Sequence, residues 1–159
     1  MVVEPSKVRR HRMGHIELSI PVVHFLFIKG NPSLLATLLE MKSRDLEMIV
    51  NYDRYIVISS EREGEYKLGQ LLTVEEFQAV SNVLSSDGFQ IETGAEAIRK
   101  LLSDLNLESL SSELRQKKNL TKSKDKKRRL AKRLCLIEAF LQTGSKPEWL
   151  VLDVIPKLL

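Results

Sequence analysis

The alternation of apolar and polar positions predicts a few short strands. Ile16, Leu18 and Ile20 alternate with polar residues, as in a strand that buries one face. Pro21 interrupts the alternation and indicates an edge or a bend, and the apolar run that follows, residues 22–28, is compatible with a more buried continuation. Residues 54–59 are rich in β-branched and aromatic side chains and predict a second strand.

Helical spacing dominates the rest of the chain. Asn31 and Pro32 are expected to cap and begin a helix that carries a stripe of leucines, and residues 43–50 predict a further helical segment. Two threonine–glutamate pairs with the spacing of a capping box each precede an apolar stripe and predict two more helix starts: Thr73 with Glu76, and Thr93 with Glu96.

The C-terminal half predicts an antiparallel helical hairpin, over about residues 95–142. The apolar stripe changes phase near Asn106, and two helices are expected at about 108–119 and 125–142, with Gly144 after the second. The closing residues 145–156 predict a Trp149 anchor and a short apolar strand. The fold class is therefore α+β, mostly helical, with a few short strands and this hairpin.

Length and composition suit one globular domain. The 159 residues are 43% hydrophobic and 29% charged, with a net charge of +4, which is compatible with an anionic partner. The single cysteine, Cys135, is expected to be a semi-buried thiol in a reducing compartment. The sequence has neither a signal peptide nor an apolar run long enough for a membrane span, so we expect a cytoplasmic protein without a membrane partner.

Positive charge is concentrated in two places. Eight of the twelve residues in 122–133 are lysine or arginine, and another four cations fall within the first twelve residues. Such clusters favour phosphate groups, because each neutralised phosphate releases counterions; a solvated helix face and a disordered basic tail are the alternatives. The candidate nucleic-acid-binding residues are Lys7, Arg9, Arg10, Arg12, Lys122, Lys124, Lys126, Lys127, Arg128, Arg129, Lys132 and Arg133.

Catalytic and metal-binding patterns are weak by comparison. His11, His15 and His24 lack partner cysteines and a known ligand spacing, so surface histidines are the better interpretation. No pair of carboxylates, phosphate-binding glycine loop or nucleophile motif stands out. The chain therefore reads as a binding or structural element with no catalytic residues and no cofactor of its own.

Several motifs resemble one family in order along the chain. The segments "KVRRHRMGHIELSIPVVHF", "RYIVI", "QLLTVEEF", "TGAEAIRKLLSDLNLE" and "KKRRLAKRLCLIEAFLQTGSKPEWLVLDVIP" are similar to the N-terminal clamp region of the bacterial DNA-directed RNA polymerase β′ subunit. The resemblance covers about residues 6–156. It implies a basic segment, residues 1–12, followed by a single clamp segment, residues 13–159.

The resemblance also concerns parts that this sequence lacks. In the family, a four-cysteine zinc ribbon precedes the first motif, and an aspartate motif that holds catalytic magnesium lies beyond the last; neither is in these 159 residues. It follows that zinc and magnesium would be bound outside this segment, which should be inactive alone as a nucleotidyltransferase. An excised fragment and a truncated gene product are both compatible with this sequence.

The function implied by the resemblance is DNA binding and retention during transcription. The basic residues would face nucleic acid, and the β, α and ω subunits and sigma factor would be partners through the full subunit. The alternative from another class is a protein–protein interaction module of the transcription machinery whose basic face is merely solvated.

Overall fold

The computed structural model describes residues 4–60, 67–83 and 89–158. Side chains are described throughout these ranges except at seven positions: Arg9, Ser60, Asn82, Val83, Phe89, Lys157 and Leu158. The helices are α1 (Ser6–Arg9), α2 (Phe25–Lys29), α3 (Leu34–Leu39), α4 (Ser43–Val50), α5 (Val74–Val83), α6 (Gly94–Ser103), α7 (Leu107–Leu120) and α8 (Lys124–Thr143), with a 3₁₀ turn at Pro147–Leu150. The strands are β1 (Met13–Val23), β2 (Tyr55–Ser60), β3 (Leu71–Leu72), β4 (Phe89–Glu92) and β5 (Val151–Leu158).

The strands form two small antiparallel sheets, so the α+β prediction is confirmed. One sheet has the order β3–β2–β4, and the other is a two-stranded ribbon of β1 and β5. In the ribbon, Met13 lies opposite Leu158 and Val23 lies opposite Val151, with an irregularity in register between Glu17 and Val22. The first and last strands of the chain are therefore neighbours.

Helix α6 lies at the centre of the fold and contacts both sheets. Its Ile98 is fully buried, as are Leu38 of α3, Ile49 of α4 and Ile56 of β2. One continuous apolar core therefore joins α6 to the helices, the three-stranded sheet and the inner end of the ribbon.

The predicted helical hairpin consists of α7 and α8, joined by the three residues 121–123. Asn106 caps α7 by accepting a hydrogen bond from the Ser109 N–H (3.2 Å), and Gly144 ends α8 with φ 66°. The apolar faces of both helices meet the core through Leu114 and Ile137. The phase break and the C-terminal glycine predicted from the sequence are both confirmed.

The capping box at the start of α5 is also confirmed. The Thr73 N–H donates to Glu76 Oε2 (2.7 Å), and the Glu76 N–H donates to Thr73 Oγ1 (3.2 Å). The hydrogen bond from the Thr73 backbone lowers the pKa of the Glu76 carboxyl. Thr93 does not repeat this device, because its hydroxyl donates to the Arg54 carbonyl oxygen (2.8 Å). The predicted helix start is confirmed, since Thr93 is the N-cap of α6, but the capping box predicted for Thr93 and Glu96 does not form.

Two predicted boundaries near the start of the chain are also wrong. The residues after Pro21 do not continue as a strand beyond Val23, because His24 Nδ1 accepts the Leu26 N–H (3.3 Å) and starts α2. Helix α3 is capped by Ser33, whose hydroxyl oxygen accepts the Ala36 N–H, so Asn31 and Pro32 both precede the helix.

Burial differs from the prediction at four side chains. Ile16 and Ile20 were expected in the core but are 47% and 57% exposed. Trp149 is 62% exposed and does not anchor the closing segment, and Cys135 is exposed, not semi-buried. The local sequence pattern identified strand β1 and helix α8. It could not show which face of each is covered by the rest of the fold.

Candidate nucleic-acid interface

Six cations of the N-terminal half of α8 form an exposed basic surface. We call this the α8 basic surface; its residues are Lys124, Lys126, Lys127, Arg128, Arg129 and Lys132, all of them exposed. Within the part of the chain that the structure describes, none of the six lies within 4.0 Å of a carboxylate in an ion pair. Their positive charge is therefore not neutralised internally.

Three of these cations form a row along one side of α8. Lys124, Arg128 and Lys132 are four residues apart and share one side of the helix. They span about 12 Å along the axis, a length over which duplex DNA carries about seven negative charges. The helix dipole adds positive potential at this end, and Asp125 is the one acid in the first turn. The arrangement suits a polyanion that lies along the helix.

The rest of α8 holds this surface firmly against the fold. Leu134 and Ile137 are buried in the core, and Arg133 reaches back to α3. Its Nε and Nη2 groups donate to the Leu38 carbonyl oxygen (3.2 and 3.0 Å), and its Nη1 group pairs with the Glu40 carboxylate. Arg133 was predicted to face nucleic acid, but the structure gives its guanidinium internal partners.

A groove runs beside the α8 basic surface. It has a volume of about 510 Å³ and is lined by the segment from Gly30 to Ser43 on one side and by Arg129, Lys132 and Arg133 on the other. Lys42 belongs to this groove and was not among the predicted site residues. No sequence pattern links it to α8, because Lys42 and Arg129 are 87 positions apart in the chain.

The cations near the N-terminus belong to a different part of the fold. Lys7 lies on the four-residue helix α1 and is exposed, as is Arg10. Arg12 is paired with Glu4, with its Nη2 atom 2.7 Å from Oε1, and the side chain of Arg9 lies outside the described residues. Lys122 is exposed in the turn of the hairpin, close to the α8 basic surface in sequence.

The histidines make no metal site with other described residues. Among residues 4–60, 67–83 and 89–158, no group of three or more His, Cys, Asp or Glu side chains is placed to hold a metal ion. His24 acts as a helix cap, and His15 lies 3.6 Å from the Glu17 carboxylate. None of the helices in these ranges combines the length and the apolar character that a membrane span requires.

Comparison with known proteins points to transcription. The family model of RNA polymerase Rpb1, domain 1, matches residues 4–158. Three curated relatives, from Rickettsia typhi, Rickettsia prowazekii and Rickettsia massiliae, are each described as DNA-directed RNA polymerase subunit beta'. Each is 44% identical over 154 residues, which is 97% of this chain and 11% of the relative. The chain thus spans about a ninth of the length of these relatives.

Proposed function

Because the chain belongs to the family of RNA polymerase Rpb1, domain 1, we propose that it serves as a segment of the β′ subunit of a DNA-directed RNA polymerase. In this role it contributes to transcription in the cytoplasm by retaining DNA in the assembled enzyme. Its partners are DNA, the other polymerase subunits and sigma factor. The segment supplies binding surface, and the catalytic groups come from elsewhere in the polymerase.

The observation that supports DNA retention is the α8 basic surface, with six exposed cations on one rigid helix. Lysine and arginine contacts to phosphate position a duplex without reading its sequence. The interface therefore binds DNA weakly and without sequence preference, and its affinity falls steeply as salt rises.

The test is the salt dependence of duplex binding by the chain. Successive residues of a helix are about 100° apart, so Lys126, Lys127, Arg128 and Arg129 point to different sides of α8 and a duplex on one side contacts about two of them. A variant with all four changed to alanine therefore loses about two phosphate contacts, and the slope of log K against log salt becomes shallower by about 1.8, since each phosphate contact contributes about 0.9. Fluorescence anisotropy of a labelled duplex at several salt concentrations measures this slope.

The matched control removes four exposed cations that have internal partners. Lys29 pairs with Glu47, Arg115 with Glu138, Lys117 with Glu113 and Lys146 with Glu148. Changing these four cations to alanine alters the net charge by the same amount. The control should bind nearly as the parent chain does. Equal slopes for both variants would favour the interaction module, in which the α8 basic surface is only solvated.

A further inference from the structure

The groove beside α8 has a cationic lining on both of its walls. The described residues that line it include four cations and one acid: Lys42 on the wall formed by residues 30–43, Arg129, Lys132 and Arg133 on the α8 wall, and Glu40. The Glu40 carboxylate is paired with Arg133. Lys42, Arg129 and Lys132 are exposed and take part in none of the ion pairs between described residues. The groove therefore suits an anion.

Arg133 fixes the spacing between the two walls. Its guanidinium donates to the Leu38 carbonyl oxygen and pairs with Glu40, so it ties α8 to the end of α3. Lys42 follows two residues later as the N-cap residue of α4, and its side chain makes no capping hydrogen bond. The Lys42 ammonium group is therefore available to a ligand at a backbone position that the fold already holds, which lowers the ordering cost of binding.

The groove is continuous with the row of cations along α8, which consists of Lys124, Arg128 and Lys132. A second depression, of about 290 Å³, is lined by Asp125, Arg128, Arg129 and Lys132. It shares Arg128 and Lys132 with the row, and Arg129 and Lys132 with the groove. A polyanion that lies along the row therefore reaches the groove without leaving the cationic surface.

We propose that the groove holds phosphate groups from one strand of the DNA that lies on the α8 basic surface, and that Lys42 contacts them from the far wall. This inference rests on the proposed function. A volume of about 510 Å³ is typical of a pocket for one small ligand, so the groove admits a stretch of one backbone and excludes a whole duplex. A strand carries a charge at every nucleotide, so successive phosphates can meet the row and then the groove.

The salt dependence of duplex binding by the chain tests the contact at Lys42. Lys42→Ala should make the slope of log K against log salt shallower by about 0.9 and should weaken binding at 0.1 M salt by up to about eightfold, because one phosphate contact is lost. Lys42→Arg keeps the charge and should keep the slope. Thermal unfolding of both variants checks that the fold is retained.

Arg44→Ala is the matched control. Arg44 is exposed on α4, has no ion pair with a described residue and does not line the groove. Its loss should leave the slope as in the parent chain. Equal slopes for Lys42→Ala and the parent would overturn the groove assignment. Equal changes for Lys42→Ala and Arg44→Ala would overturn it as well, since they would show only a general loss of positive charge.

A variant of the row separates this result from a failure of the proposed function. Lys124→Ala combined with Arg128→Ala removes two cations of α8 that do not line the groove. A shallower slope for this variant, with no change for Lys42→Ala, would contradict the groove assignment alone. Unchanged slopes for both would contradict the retention of DNA on α8 as well.

Two competitors distinguish other occupants of the groove. Tripolyphosphate carries the same groups as a DNA backbone, and poly-L-glutamate represents an acidic protein segment. Each is titrated against the parent chain and Lys42→Ala, and the duplex should be the ligand for which the change at Lys42 matters most. Loss of either competitor from Lys42→Ala, with an unchanged duplex slope, would assign the groove to that competitor's class and overturn the proposal.

Glu40→Gln tests the groove by a gain of affinity. It removes the carboxylate from the groove lining, while Arg133 retains its two hydrogen bonds to the Leu38 carbonyl oxygen. Duplex binding at 0.1 M salt should tighten by about two- to fivefold, because the repulsion between this carboxylate and phosphate is lost. Glu138→Gln, at the Arg115 pair outside the groove, changes the net charge equally and should leave the affinity nearly unchanged. Equal affinities for the two variants would contradict the groove assignment.

Discussion

Helices α6 and α8 both carry cations, but they use them in opposite ways. On α6, Arg99 bonds with the Asp153 carboxylate of β5, and Lys100 pairs with Glu92 of β4. These hydrogen bonds raise the pKa of the Arg99 guanidinium and of the Lys100 ammonium group. On α8, the six cations of the α8 basic surface have no such pairs with described residues.

Position in the fold explains this difference. Helix α6 lies between the two sheets, so its long side chains reach carboxylates on either side of it. The N-terminal half of α8 faces solvent, and only its last residue, Arg133, bonds to described groups of the fold, the Leu38 carbonyl oxygen and the Glu40 carboxylate. The cations of α6 therefore stabilise the fold, whereas those of the α8 basic surface are exposed to solvent.

The largest effect on stability should come from a substitution at Gly94, the first residue of α6. Its φ is +76°, and an added Cβ would lie 2.5 Å from a ring carbon of Tyr52. Gly94→Ala should lower the free energy of unfolding by about 1–3 kcal/mol, through backbone strain and the clash with the ring. Urea unfolding measures this loss, while the salt dependence of DNA binding should stay unchanged because α8 is not altered.

Gly144, which ends α8, is the matched control for this substitution. Its φ is +66°, but an added Cβ would meet nothing within 4 Å. Gly144→Ala should therefore show the strain without the clash, and a smaller loss of stability. Equal losses at both glycines would show that the half-exposed Tyr52 ring moves aside from the added Cβ at little cost. Tyr52→Ala in the Gly94→Ala background should recover the difference.

An intermediate effect on stability is expected at Arg133, where the exposed N-terminal half of α8 meets the half that packs against the core. Arg133 donates two hydrogen bonds to the Leu38 carbonyl oxygen, and its side chain is only 11% exposed. Arg133→Lys keeps the charge but loses the planar fork, so stability should fall by about 1 kcal/mol. Arg129→Lys should change stability by less than about 0.5 kcal/mol, because Arg129 is exposed.

Thermal unfolding of the two variants checks this comparison. Both keep their positive charge, so DNA binding should retain its salt dependence in each. Equal stability of the two variants would show that Arg133 is as free as its neighbours, and the α8 basic surface would then extend to it.

The sequence pattern predicted the structural features that are determined by residues close together in the chain. The helix at 43–50, the strand β2, the capping box of Thr73 and Glu76, the break at Asn106 and the glycine after α8 are all local features, and all are confirmed. In each of them, the residues that determine the structure lie within a few positions of one another.

Contacts between distant residues were not predictable in this way. Arg133 finds Glu40 across 93 positions, and the Thr93 hydroxyl finds the Arg54 carbonyl across 39. The exposure of Ile16 follows from how far the ribbon extends past the core, which no periodicity encodes. For the site, the sequence identified the basic residues but could not separate the paired Arg12 and Arg133 from the exposed cations of α8.

The smallest expected effect is a change in how the stability of the fold depends on pH. It concerns Lys100 of α6. The pKa of Lys100 is raised in the fold by its hydrogen bond with Glu92. A raised pKa means that the pair stabilises the fold fully below the pKa of an unfolded lysine, about 10.4, and that this contribution is lost as pH rises through the folded pKa. The Lys100→Met variant lacks the contribution at every pH.

The measurement is the difference in melting temperature between the parent chain and Lys100→Met. This difference should be constant from pH 7 to about 9 and should shrink above about pH 10.4, where the ammonium begins to lose its proton. Lys127→Met, on the α8 basic surface, is the control, and its difference from the parent should show no such alkaline loss of stabilisation. A parallel loss in both variants would mean that Lys127 also has an internal partner, and the contrast between the two helices would then fail.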